Sequence, residues 1–134
     1  MDDNWFLATI KSENSSWIVR ALSEIPPIET TEANPSLIIA RWAYDGDGMP
    51  DGDTHGTIVE FEDAVFSSME QGGWGIEAVS LTGDGTKEWR FYTGDVSHFM
   101  AQFTNALAGH PPYPLDFQSF EDPDWSALQE FHQN

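Results

Sequence analysis

Ile76-Glu77-Ala78-Val79-Ser80-Leu81-Thr82, then Gly83-Asp84-Gly85-Thr86-Lys87, then Glu88-Trp89-Arg90-Phe91-Tyr92-Thr93 is the stretch from which the fold can be read. Two runs rich in β-branched and aromatic residues flank a Gly-Asp-Gly-Thr connection, so the segment predicts a β-hairpin. In the second run Trp89, Phe91 and Thr93 alternate with Glu88, Arg90 and Tyr92, the period of a half-buried strand. Downstream, Asp95 suits the cap of a helix whose apolar stripe is Val96, Phe99, Met100, Phe103 and Leu107, with Gly109 and Pro111 stopping it. A last strand is predicted over 115–120, and Asp122-Pro123-Asp124 introduces a short terminal helix carrying Trp125, Leu128 and Phe131. Upstream, Ile58, Phe61, Val65 and Met69 step by three or four residues, the spacing of an amphipathic helix. Thr57 and Glu60 fit a capping box at its start, and Gly72-Gly73 ends it. Residues 37–44, bulky and β-branched, read as the strand before that helix.

The order strand, helix, strand, strand, helix, strand predicts an α+β fold, a ferredoxin-like βαββαβ sandwich with both helices on one sheet face. A single domain over 1–134 is expected: an N-terminal hairpin at 4–22, a linker at 23–35, the βαββαβ core at 36–121 and a C-terminal helix at 123–132. The hairpin rests on strand-like runs at 5–10 and 17–22 about a polar turn, and the Pro-containing stretch 26–35 suits a loop.

The 134 residues hold 23 Asp and Glu against 5 Lys and Arg, a formal net charge of -18 and a pI near 4.1. Nucleic acids and anionic membranes both demand a dense cationic footprint, which five bases do not build. Six Trp, nine Phe and three Tyr supply the burial that disordered acidic chains lack. The acidic start Met1-Asp2-Asp3-Asn4 is unlike a secretory signal, and no run of 18 apolar residues is present, so a cytoplasmic protein is expected. With no cysteine there is neither a disulfide nor a thiol nucleophile.

Asp51-x-Asp53-x-His55-Gly56-x-Ile58 followed by Glu62 reproduces much of a calcium-binding EF-hand loop, with acids at positions one, three and twelve. His is a poor ligand for a hard cation, and a strand precedes the loop where an EF-hand has a helix; calcium at Asp51, Asp53 and Glu62 therefore stands as an alternative, with no cofactor as the main expectation. His55, His98, His110 and His132 show no metal-site spacing, and there is no Gly-x-Ser-x-Gly elbow or P-loop. A hydrolase or carbohydrate-acting enzyme needs only two carboxylates held several ångströms apart, and with 23 acids no pair stands out.

The acids are segregated. Between Arg41 and Lys87 lie ten acids and no base, and after Arg90 six acids and no base. Asp45, Asp47, Asp51, Asp53, Glu60, Glu62 and Asp63 crowd into 45–63. Such a surface serves solubility, or it docks a basic protein, where electrostatic steering speeds association. Trp42 and Tyr44 share one side of their strand and are expected on the helix-free face, an aromatic addition to the same partner-binding surface.

The segment Gly83-Asp84-Gly85-Thr86-Lys87-Glu88-Trp89-Arg90-Phe91-Tyr92, the later Glu121-Asp122-Pro123-Asp124-Trp125 and the upstream Gly48-Met49-Pro50 resemble the bacterial domain-of-unknown-function family 695. The resemblance covers roughly 5–131, and relatives include the ribonuclease E inhibitor B family, acidic ferredoxin-like proteins that act by binding a protein. It implies a non-enzymatic binding module, in which a basic partner such as a ribonuclease or a toxin is inhibited or regulated. It implies no catalytic residue.

Overall fold

A computed structural model describes residues 5–11, 16–44 and 49–132. The elements run β1 Trp5–Lys11, β2 Ser16–Leu22, α1 Ile28–Ala33, β3 Ser36–Ala43, α2 Gly52–Gly72, β4 Ile76–Gly83, β5 Thr86–Thr93, α3 Val96–Ala106, β6 Leu115–Glu121 and α4 Ser126–Gln129. The six strands make one sheet in the order β1-β2-β4-β5-β3-β6, antiparallel at every junction. The fold is therefore mixed α and β, with the N-terminal hairpin extending the sheet through β2.

The β4–β5 hairpin closes on Asp84 and Gly85, whose φ values of 54° and 79° are both left-handed. A two-residue Asp-Gly turn of that kind matches the twist of antiparallel strands. Just before it, a side chain on Gly83 would stand 2.4 Å from the Ser16 carbonyl oxygen, so β4 and the start of β2 approach as closely as they do only because residue 83 has no Cβ.

α2 and α3 pack on one sheet face. Ile58, Phe61, Val65 and Met69 from α2, with Phe99 and Phe103 from α3, enclose Ile38, Ala40 and Trp42 of β3 and Trp89 and Phe91 of β5. The opposite face is also covered. Val19, Ala21, Leu37, Val79 and Tyr92 lie beneath Trp125 and Leu128, all buried. β5 is thus a central strand buried on both sides, where its alternation suggested a half-buried one; Glu88 and Arg90 are polar residues in an interior layer, not the solvent side of a strand.

Three local features differ from expectation. α2 starts at Gly52, not Thr57: Asp51 is its N-cap and accepts from Thr54 N at 2.8 Å, while Thr57 Oγ1 donates back to the Asp53 carbonyl as an interior helical residue. Within 23–35 the chain forms α1, bounded by Pro27 and Asn34. The terminal helix shortens to the four residues of α4. Asp95 does cap α3, accepting from His98 N at 3.0 Å, and left-handed Gly73 closes α2.

Candidate functional site

α2 carries its acids and its apolar residues on opposite sides. At 100° per residue Asp53, Glu60, Asp63 and Glu70 fall within an arc of roughly 100°, facing away from the buried stripe Ile58, Phe61, Val65 and Met69. All four acids are exposed, and α2 contains no Lys or Arg. Among the described residues the helix makes a single ion pair, Glu62 to Lys87 at 3.3 Å.

The three arginines are spent elsewhere. Arg20 of β2 pairs with Glu77 at 3.1 Å, Arg41 of β3 with Glu88 at 2.8 Å, and Arg90 of β5 with Glu88 at 2.7 Å and with Glu130. Each of these bases sits on a strand, so their charge is met by the sheet and by the C-terminal segment beside it and does not offset the acidic side of α2.

Of the predicted partner-binding residues, Trp42, Tyr44 and Asp53 come together in a recess of about 320 Å³ beside the first turn of α2, which Thr54 and Thr57 also line. The aromatic expectation needs correcting. Trp42 is only 4% exposed and packs between Phe61, Trp89 and Tyr113 in the helix-covered core, with ring centroids 5.0–6.5 Å apart, so it supports the recess from within and presents no ring to a partner. Tyr44 is half-buried against the same core, and its N–H donates to the Gly85 carbonyl. Glu60 and Asp63 stand exposed on the ridge, and Asp51 is spent on its cap, whose hydrogen bonds from Thr54 hold the carboxyl below its usual range. Asp45 and Asp47 lie outside the described residues.

The calcium pattern does not form a loop. Residues 52–62 are helical, so Glu62 lies about 15 Å along the axis from Asp51 and Asp53. Glu62 instead accepts from Trp89 Nε1 at 2.8 Å. No group of three His, Asp or Glu among the described residues is placed to hold a metal ion.

A second concavity, about 470 Å³, opens on the other sheet face between Ile10, Trp17 and Phe131, over Leu81, Glu88 and Arg90. Its floor was hidden in the sequence, since it depends on β5 being buried on both sides. Glu88 accepts from Arg41 Nε and Arg90 Nε, and Arg90 Nη1 donates to the Ala127 carbonyl at 2.8 Å and to Glu130. Each charge there already has a partner, so the floor clamps β3, β5 and the C-terminal segment together and offers no free base or nucleophile.

The most recognisable residues of the sequence are joined by the same clamp. Tyr92 Oη donates to Asp122 Oδ2 at 2.6 Å, and Asp122 also accepts from the backbone N–H groups of Ser126 and Ala127. Burial pushes the Asp122 carboxyl up, but these hydrogen bonds outweigh it and hold it below its usual range. Burial, then the Asp122 carboxylate, raises Tyr92 far above an ordinary phenol. The Glu-Trp-Arg-Phe-Tyr and Asp-Pro-Asp-Trp segments therefore work as a pair that builds the fold.

These segments place the protein. The model of a family of unknown function, DUF695, matches residues 3–132, and the chain belongs to that family. No curated protein sequence matches it. No helix among the described residues is long and apolar enough to cross a membrane.

Proposed function

We propose that the protein is a non-enzymatic binding module that docks a basic protein on the outer face of α2, acting as an inhibitor or regulator of a nuclease or as the neutralising partner of a toxin. The observation that carries this reading is the segregation of charge. The three arginines pair with Glu77, Glu88 and Glu130 away from α2, while Asp53, Glu60, Asp63 and Glu70 stand on one helix with no ion pair among the described residues. A surface of that kind accelerates encounter with a cationic partner and weakens as salt screens it. The strand order β4-β5-β3-β6, with α2 and α3 on one face, supports reading these elements as a ferredoxin-like sandwich.

A carboxylate-dependent hydrolase is the second reading. Its best pair is Glu77 and Glu62, since burial, countered only in part by Arg20, pushes Glu77 up to about 7 with Glu62 in electrostatic range. Both are already engaged, Glu77 by Arg20 and Glu62 by Trp89 and Lys87, which favours the binding module.

Affinity capture from the source cell at low salt, with the native chain and a Glu60→Lys/Asp63→Lys double variant as baits, tests the first reading. A basic protein retained by the native chain and lost from the variant supports it. Recovery of no partner even at low salt counts against it.

A further inference from the structure

The N-terminal hairpin joins the rest of the sheet over a short seam. β2 and β4 share only four register pairs, Ile18 to Ala21 against Val79 to Thr82, whereas β3 and β5 share eight. At the end of that seam β4 carries a bulge, a register shift between Glu77 and Val79, and bulges re-aim the side chains beside them. Here Glu77 turns into the structure. Its side chain is 9% exposed; Oε1 accepts from Arg20 Nη1 of β2, and Oε2 is buried with no hydrogen-bond partner among the described residues. Arg20 in turn lies 3.8 Å from the ring centre of Trp5 on β1, so one carboxyl group reaches both strands of the hairpin through one guanidinium.

A carboxylate with one oxygen sealed away from water is costly, and the cost is relieved by a proton or by opening the seal. The charged groups facing Glu77 are Arg20 from β2, Lys87 from β5 and Glu62 from α2. Lys87 is itself held by Glu62, and no donor among the described residues reaches Oε2. The piece with the shortest seam is the hairpin, and lifting it away would admit water to Oε2.

We propose that Glu77 is a proton-operated latch for the β1–β2 hairpin: as the carboxyl it keeps the hairpin closed on β4, and on releasing its proton to solvent it favours an open form. Burial, opposed in part by Arg20, raises Glu77 to about 7, so the latch works near neutral pH. It is independent of what α2 binds.

The test is carbon-detected NMR titration of the Glu77 side-chain carboxyl in the full chain, with amide hydrogen exchange at pH 5.5 and 8 in the native protein and in Glu77→Gln. The expected results are a Glu77 midpoint near neutrality, β2 amides that exchange through a cheaper opening than β5 amides, and a Glu77→Gln to native ratio of β2 protection that rises about tenfold or more between the two pH values. A Glu77 midpoint near that of an ordinary glutamate, β2 and β5 exchanging together at every pH, or an unchanged ratio would each overturn the proposal. The titration and the native β2-to-β5 comparison decide it even if Glu77→Gln does not fold.

Discussion

Tyr92 and Trp125 stack face to face, ring centroids 3.9 Å apart and planes within 6°, and Tyr92 Oη reaches past the indole to the carboxylate that caps the last helix. Two segments far apart in the chain thus share one layer, with both side chains fully buried. Trp125→Ala opens a large cavity under β5 and is expected to cost about 3–5 kcal/mol. Tyr92→Phe keeps the stack and leaves Asp122 with its backbone donors, so about 1 kcal/mol is expected. Denaturant unfolding of both variants checks the ranking; equal losses would show that the hydrogen bond, not the stack, holds the layer.

Glu62→Ala and Glu62→Gln separate two roles of one residue. Glutamine retains an acceptor for Trp89 Nε1 and loses the partly exposed pair with Lys87, so about 0.5 kcal/mol or less is expected. Alanine strips the buried indole N–H of its acceptor, and about 1–3 kcal/mol is expected. Thermal melts of the two variants give the comparison.

Stability is expected to peak on the acid side of neutrality. Glu77 binds its proton more tightly folded, at about 7, than unfolded, at the ordinary glutamate value of 4.5. Between those values the folded state holds the extra proton, so stability falls as pH rises, by about 3 kcal/mol across the window. Asp122 has the opposite sign: its folded carboxyl is held low, and its contribution is present above the usual carboxylate range and lost as acid protonates it. Unfolding free energies from pH 3 to 8 should trace a dome, and Glu77→Gln should flatten its alkaline limb alone.

Glu60→Lys and Asp63→Lys, together or singly, are expected to change stability by no more than about 0.5 kcal/mol, because both side chains are exposed on α2. Partner binding should weaken several-fold at low salt and converge on the native value as salt is raised. Trp42→Ala is predicted to behave in reverse, unfolding the core before any binding effect can be read.

The elements legible in the sequence were those with a long period. The apolar stripes of α2 and α3 and the alternation through 88–93 each repeat several times, and each lies in the helix or strand it predicts, although α2 begins earlier than its stripe. Signals carried by a single residue are ambiguous. Asp51 and Thr57 are both good caps, and Gly52 and Gly56 mask the first turn of α2, so its start lay six residues before Thr57's neighbour Ile58. Alternation put Ala40 and Trp42 on one side of β3 without saying which side the helices cover; pairing across to Trp89 and Lys87 settles it, since Trp89 belongs to the helix-packed core. Glu88 and Arg90 looked like a solvent face because a charged pair two residues apart usually is one. Only the covering C-terminal segment, distant in sequence, turns them into an interior clamp.

Trp125 also has a place in time. Its backbone adopts a left-handed φ of 57°, uncommon for a bulky residue, and its indole donates to the Asn34 carbonyl across 91 residues of chain. Neither the conformation nor the contact has support until β5 and the segment entering β3 are already side by side, and closing so long a loop early is entropically unfavourable. The docking of this indole is therefore expected to complete folding, with substitutions at Trp125 hastening unfolding and leaving the refolding rate nearly unchanged.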